Sequence, residues 1–537
     1  MPQAASKARW LDYEDFTAQR YERLFGDRVN RCFVERPRSL FSLFAKGLKE
    51  NAAGEALIDS ERRFTYSQLA SLISETAGGL RELGIKKGDR VAILMGNAAE
   101  HVALIFAIAK IGAAAVPLNI REEGPELAFI INDCGACLLL HETTLADRVP
   151  PADALPKLLH RVAIDLNSGE PLSPLARGAP LEKEVEVEEE DIAAILYTSG
   201  TTGRPKGAMV CNVNVAHSVI HYQEAMRISS ADRSVIAVPM SHITGLIALI
   251  GLCAHAGAAL VIMAQFKAEK FLDLAERERI THTLLVPAMF ALCLMRPDVG
   301  ERDLSEWRIA GYGGAIMPEA TLRDIGKRLP NLKLVNAYGA TETTSPAVMM
   351  PPEHAVERAD QVGLPVPCAD IRVMNPDGRE VLDGEAGEIW ISGPMVVKGY
   401  WNNPDATAKE FTGSYWRSGD VGSIDEHGFI RIVDRIKDVI NRGGYKIYAS
   451  EVESLLLELE AVHDVAVVAK PCPVLSERVH AFAVVEPGTQ SALLADHCSG
   501  AIADYKRPEQ YHFVDELPRN ANGKVLKRDL RERLKNS

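Results

Sequence analysis

From about Phe64 onward, apolar residues recur along this chain in two alternating rhythms. Tyr66–Leu83 carries them three and four positions apart, the spacing of an amphipathic helix, and Arg90–Leu94 follows as a short apolar run of strand type. Ala98–Ile111 repeats the helical stripe and Ala113–Pro117 the strand. The alternation resumes at Ile192 and continues through strands at Val235–Val238, Thr283–Val286, Ile309–Tyr312 and Leu334–Ala337, with helices between. Such repeats predict an α/β architecture of doubly wound, mainly parallel sheets covered by helices on both faces. Past Gly363 the texture changes to short strands punctuated by Asn375-Pro-Asp-Gly378, Asp383-Gly384 and Asp425-Glu-His-Gly428, a β-rich subdomain over about 363–434. A final α+β unit over 435–537 is expected to hold helices at Ser450–Leu459 and Leu493–Asp504 and strands at Val465–Val468 and Ala481–Val485. The boundary falls at Asp434–Lys437, so that a large N-terminal domain covers 1–434.

The longest apolar stretch, Leu246–Ala264, has the length of a membrane span, but it carries His255 and two glycines. It reads as a buried helix, a turn near Gly257 and a strand over Ala258–Met263, so no integral membrane segment is expected. The Pro-, Gly- and Glu-rich Asp165–Glu190 reads as a connector, with Glu182–Glu190 a solvated acidic face.

A chain of 537 residues exceeds one hydrophobic core, so more than one domain is expected. The net charge of −13 argues against a nucleic-acid binder, and a polyanionic ligand would need a local positive pocket. Nine cysteines, an odd number scattered from Cys32 to Cys498, suit reduced thiols in a cytoplasmic compartment. Cys134-Gly-Ala-Cys137 has no second pair to complete a metal site. Met1–Trp10 lacks the apolar core of a secretory signal.

The candidate chemistry begins at residues 197–207, Tyr-Thr-Ser-Gly-Thr-Thr-Gly-Arg-Pro-Lys-Gly, which follow the apolar run Ile192–Leu196. Glycines allow close backbone approach to an anion, and hydroxyls, N–H groups and a lysine neutralise phosphate oxygens. A Walker A loop is excluded because Gly207, not Ser or Thr, follows Lys206. The undecapeptide resembles the signature loop of the adenylate-forming superfamily, which includes acyl-CoA synthetases, stand-alone adenylation domains and luciferases.

Further segments match that superfamily in order, so the resemblance covers roughly residues 30 to 530. It implies that Thr198, Ser199, Gly200, Thr201, Thr202, Gly203 and Lys206 cradle ATP phosphates. Pro239-Met-Ser-His242-Ile-Thr-Gly245 implies a histidine between carboxylate pocket and nucleotide. Gly311-Tyr-Gly-Gly-Ala315 resembles the loop along the adenine, with Gly314 and Ala315 contacting it. In Asn336-Ala-Tyr338-Gly-Ala-Thr341-Glu342, the resemblance implies Tyr338 stacked on adenine and Asn336 bonded to its amino group. Ala337 and Gly339 line the same site, Thr341 meets the α-phosphate and Glu342 holds Mg²⁺. Asp420, ending Trp416-Arg-Ser-Gly-Asp420, and Arg435 are implied to bind the ribose, with Lys437 as the hinge. Asn441, Gly443, Gly444 and Lys446 belong to the loop that serves thioester formation with coenzyme A. A proline is usual after the aromatic residue that follows; Ala449 stands there, a departure that affects rigidity at a helix start. Pro518-Arg-Asn-Ala-Asn-Gly523-Lys524 resembles the catalytic lysine segment, and Lys524 is the expected adenylation residue.

The resemblance therefore implies an acid:CoA ligase using ATP, Mg²⁺ and CoA, with catalysis shared by Lys524, Thr198, Lys206, Glu342 and His242, and a mobile C-terminal lid. Its acid pocket is implied to comprise His242, Thr244, Ala248, Ala315, Ala337, Thr343 and Ser345. Small residues at several of these positions, with no cation among them, point to a bulky uncharged monocarboxylate of medium-chain, branched, alicyclic or aryl type. The alternative is a stand-alone adenylation enzyme that passes the acyl group to a carrier protein or other acceptor. An amino-acid-activating module is disfavoured because Met240–Ile243 contains no acidic residue to pair an ammonium. The spacing of Pro518 to Lys524 also resembles a site for a protein acetyltransferase. An oligomer is compatible with everything above.

Overall fold

The computed structural model describes residues 7–13, 16–176, 178–198, 204–315, 317–519 and 525–535. Contacts divide the chain into two units, Met1–Ile371 with Ile391–Arg417 and His427–Phe429, and Arg372–Trp390 with Ser418–Glu426 and Ile430–Ser537. Each is α/β or α+β in make-up.

Two large sheets build most of the first unit, beside a two-stranded one of Gln19–Leu24 and Arg28–Phe33. One orders its strands Lys206–Cys211, Ile192–Thr198, Ala114–Leu118, Arg90–Leu94, Leu138–Glu142 and His160–Ile164. All its neighbours run parallel except the pair Ile192–Thr198 and Lys206–Cys211, an antiparallel hairpin. The other has a parallel centre of Lys333–Tyr338, Ile309–Tyr312, His282–Leu285, Arg233–Ile236, Ala259–Ile262 and Glu55–Asp59, with antiparallel strands at both edges. Val91 to Leu94 are at most 1% exposed, because a parallel strand covered on both faces must be apolar on both.

Several element ends differ from the periodicity. The strand expected at Val235–Val238 lies at Arg233–Ile236, because Arg233 is neutralised by Glu55 at 2.6 Å and Glu278 at 2.8 Å and can enter the sheet. The strand expected at Thr283–Val286 lies one residue earlier, at His282–Leu285, where Val286 caps the helix that opens with Pro287. Leu246–Ala264 resolves into a π-helix Thr244–Gly251, an α-helix Leu252–Ala256, a left-handed turn at Gly257 (φ 70°) and the strand Ala259–Ile262. Among the described residues no helix is long and apolar enough to cross a membrane.

The connector at 165–190 packs where the helix Tyr66–Glu82 offers glycines. A Cβ on Gly79 would stand 1.4 Å from the Leu175 carbonyl oxygen. In open space Gly→Ala within a helix gains roughly 1 kcal/mol. Here the clash is with backbone that cannot swing aside, so Gly79→Ala is expected to destabilise by about 3 kcal/mol or more, checked by urea unfolding.

In the second unit, Asp420 pairs with Arg435 and Ile424 with Ile430 in an antiparallel hairpin. A separate sheet orders Tyr445–Ile447, Ile440–Arg442, Ser476–Val485 and Val462–Cys472, with Gln510–Phe513 parallel to Ser476–Val485. Alternation sorts its strand residues to two cores. Val465 and Val467 pack with Val452, Leu456 and Leu494, whereas Ala466 and Val468 pack with Phe482, Leu530 and Leu534. The helices here span Ala449–Leu456, Ser491–Ala501 and Lys527–Lys535.

Candidate active site

Thr198 and Lys206 face each other at the mouth of the antiparallel hairpin, so the signature loop is the connection between two strands. Ser199, Gly200, Thr201, Thr202 and Gly203 lie outside the described residues, as does Lys524. Lys206 is only 9% exposed, pairs with Glu410, and sits 4.4 Å from the centre of the Tyr400 ring. The Tyr400 hydroxyl lies 2.5 Å from Glu410 Oε2 and 2.9 Å from Glu342 Oε1. Tyr400 and Glu410 carry no mark in the motif pattern. The signals nearest to them are Asn403 and Pro404, a cap and first-turn pair that starts the helix Pro404–Glu410.

Glu342 is buried in the turn Thr341–Thr343 after the strand Lys333–Tyr338. Burial raises its carboxyl above the ordinary range, while the Tyr400 hydrogen bond and Lys206 pull the other way. The turn continues with Thr344 and Ser345 at φ 51° and 32°, conformations that non-glycine residues rarely adopt. The Ser345 hydroxyl is held at 2.8 Å by Tyr222, on the helix Asn212–Met226. Asn336 hydrogen-bonds the buried Tyr312 hydroxyl from the adjacent strand. Gly313 passes so close to this strand that a Cβ would stand 2.4 Å from the Ala337 carbonyl. Tyr338 and Gly339 are half-buried, Thr341 is buried, and Gly314 and Ala315 are exposed.

The proposed acid-pocket residues lie on three segments. His242 precedes and Thr244 and Ala248 belong to the π-helix, a geometry common at functional sites. His242 is half-buried, and loss of hydration lowers its pKa, favouring neutral imidazole. Thr343 and Ser345 are on the strained turn, while in the second sheet Ala337 lies within the strand Lys333–Tyr338 and Ala315 follows the strand Ile309–Tyr312. The helix Asn212–Met226 packs on the π-helix and, through Tyr222, touches the turn, so it ties two of the three together.

In the second unit, Arg435 Nε stands 3.2 Å from Asp420 Oδ1, so the two residues matched to ribose binding are neighbours. Lys437 lies in the turn Ile436–Asp438, with its pKa lowered by burial. Arg531 bonds the Asp438 carboxylate at 2.6 Å and the Lys437 carbonyl at 3.3 Å. Asn441 Oδ1 accepts from Gly444 N–H at 3.1 Å, Gly443 and Gly444 take φ of 59° and 94°, and Lys446 is exposed. Ala449 is buried as the first residue of its helix. All nine cysteines, Cys134 and Cys137 included, are free.

Two carboxylates share the one proton of the Tyr400 hydroxyl, so a hard cation fits beside Glu342. The Lys206 ammonium provides a positive group suited to phosphate.

Known proteins resemble this chain along most of its length. Residues 44–401 match the model of the AMP-binding enzyme and 451–524 that of the AMP-binding enzyme C-terminal domain. A long-chain-fatty-acid–CoA ligase, FadD13 of Mycobacterium tuberculosis, is 34% identical over 471 residues, 88% of this chain and 93% of that protein. The indoleacetate–CoA ligase of Aromatoleum aromaticum is 35% identical over 483 residues, again 88% and 93%. Among solved structures, the o-succinylbenzoate CoA synthetase of Bacillus subtilis with its acyl-adenylate intermediate superposes with a TM-score of 0.83 at 29% identity, covering 93% of this chain and 98% of that one. The same enzyme with ATP and magnesium ion gives 0.82 at 29%, covering 92% and 99%.

Proposed function

Since the chain belongs to the AMP-binding enzymes, as an acid:CoA ligase of the adenylate-forming superfamily, we propose that its substrate is a bulky, uncharged monocarboxylate. It is an AMP-forming acid–thiol ligase that joins a carboxylate to ATP, releasing pyrophosphate, and then passes the acyl group of the acyl-AMP to CoA, releasing AMP. ATP, Mg²⁺ and CoA are its co-reactants.

The observation that carries the substrate class is the set Thr244, Ala248, Ala315, Ala337, Thr343 and Ser345, small and without a cation. A ring or branched chain needs that space, and a second carboxylate would lack a counter-charge. Relatives named for indoleacetate and long-chain fatty acids are of the same kind.

In our reading the carboxylate oxygen attacks the α-phosphate, and repulsion between anions is the main barrier. Lys206, Thr198 and the loop 199–203 hold the phosphates, and Thr341 orients the reacting one. Mg²⁺ on Glu342 would neutralise phosphate charge. Tyr338, Asn336, Gly339 and Gly314 hold the adenine, and Asp420 and Arg435 the ribose. Neutral His242 separates acid pocket from nucleotide. Lys524 bridges carboxylate and α-phosphate. Rotation of a lid over 435–537 about Lys437 then brings Asn441, Gly443, Gly444 and Lys446 to the thioester step. A protein acetyltransferase acting on Lys524 would remove the charge that adenylation needs.

Pyrophosphate release across acetate, malonate, octanoate, isobutyrate, cyclohexane carboxylate, benzoate, cinnamates, 2-succinylbenzoate and amino acids tests this reading. We expect turnover with an alicyclic, aryl or medium-chain acid, accelerated by CoA, with a thioester product. Preference for malonate or acetate would remove the substrate proposal. Release indifferent to CoA would favour a carrier protein as acceptor.

A further inference from the structure

Glu410 occupies a position that local chemistry disfavours. It is the last residue of the helix Pro404–Glu410, where the helix dipole opposes a negative charge. Its side chain is only 23% exposed. The placement makes sense through Lys206, whose ammonium bonds Glu410 Oε1. The other carboxylate oxygen meets the Tyr400 hydroxyl at 2.5 Å, and the Tyr400 ring stacks under the same ammonium. Backbone contacts fix this arrangement. Trp401 N–H donates to the Gly207 carbonyl at 2.7 Å, Met209 N–H to that of Gly399 at 3.1 Å, and Arg28 binds the carbonyls of Val397 and Lys398 at 2.8 and 3.0 Å. Asn403 caps the short helix through the Ala406 N–H at 3.0 Å. Glu410 is thus aimed at Lys206 by the chain that leads into its helix.

We infer that Glu410 is a positioning residue and an internal competitor of ATP phosphate for Lys206. This rests on the reading above that Lys206 binds phosphate. Held by Glu410 and Tyr400, the lysine is kept extended at the hairpin mouth instead of sampling many rotamers. Binding ATP then exchanges one anion for another on the same ammonium, which lowers affinity. Glu410 left beside the phosphates also repels them, so both effects have the same sign. Departure of pyrophosphate is favoured in return, because the carboxylate recaptures Lys206.

The test is calorimetric titration of ATP with Mg²⁺ into the full-length enzyme and its variants, alongside melting curves. Glu410→Gln keeps an acceptor for Tyr400 but loses the charge. It is expected to bind ATP roughly 2- to 5-fold more tightly than the parent, the range of one partly exposed ion pair. Glu410→Ala should shift the same way and carries the test if Glu410→Gln folds poorly, whereas Glu410→Asp should return toward the parent. In a Lys206→Met background the Glu410→Gln effect should vanish. Unchanged or weaker ATP binding in Glu410→Gln and Glu410→Ala, with Lys206→Met still impaired, would overturn the competitor role alone. Parental ATP affinity in Lys206→Met would instead overturn the phosphate role of Lys206 on which the inference stands.

Discussion

Lys524→Gln is expected to slow acyl-adenylate formation about 100- to 1,000-fold while leaving the reaction of preformed acyl-AMP with CoA within a few-fold of the parent. Both reacting groups of the first step are anions, so a cation bridging them acts where the barrier arises. Losing one preorganised donor of this kind costs on the order of 3–4 kcal/mol in activation free energy, which sets the magnitude. The second step is thiol attack on an acyl carbon already bearing a good leaving group, and it does not need that cation. Single-turnover measurement of each half-reaction separates the two. Chemical acetylation of Lys524, verified by peptide mass, should reproduce the substitution, because it also removes the charge. Parallel failure of both half-reactions would show that the lysine serves the architecture and not adenylation.

The second large effect concerns the C-terminal unit. Lys527 Nζ lies 2.8 Å from Glu453, and both side chains are largely buried. Asp434 and Asp438, which flank the proposed hinge, also stabilise the Lys527 charge. Burial holds the Glu453 carboxyl above its ordinary value of 4.5 even with Lys527 beside it. Lys527→Met would leave these acids facing a desolvated interior without their cation, at a cost of about 3–5 kcal/mol. Thermal and denaturant unfolding of the full chain should show this loss. A carboxyl whose folded pKa is raised destabilises the fold only when ionised, so its penalty grows as pH rises through the folded pKa and fades toward 4.5. The deficit of Lys527→Met relative to the parent should therefore shrink on acidification from neutrality. Pairing it with Glu453→Leu should recover part of the loss, since the principal unpaired acid is then gone.

What was legible in the chain follows from local physics. Arg90–Leu94 and Ile309–Tyr312 are strands over the very residues that their apolar runs predict, because a doubly covered parallel strand has no alternative use for polar residues. The helices near Tyr66–Glu82 and Ala99–Lys110 were visible for a similar reason, each burying one continuous apolar set. Glycine-bearing motifs placed Glu342 and the hairpin loop after strand ends, where doubly wound sheets bind ligands, and Asn336 within the strand Lys333–Tyr338. Elsewhere the pattern understated the fold. Val462–Cys472 and Ser476–Val485 run well beyond their apolar centres, because the hairpin pairs Lys470 with Arg478 and Pro471 with Glu477 at its far end. The edge hairpin Glu55–Asp59 and Arg62–Thr65 is short and half polar, and its pairing with Ala259–Ile262 depends on residues some two hundred positions away.

Hydrophobic periodicity thus determined the alternating architecture, and the motifs carried the family resemblance and named the charged groups proposed for ATP. Only the folded chain decided how those groups are held. Lys206 and Glu410 are 204 positions apart and Glu342 and Tyr400 are 58 apart, so no local period could connect them. Tyr222 likewise reaches Ser345 across 123 positions to hold a strained turn. Hydrophobic periodicity is a property of neighbours along the chain, whereas the placing of a buried charge depends on which distant partner offsets its desolvation.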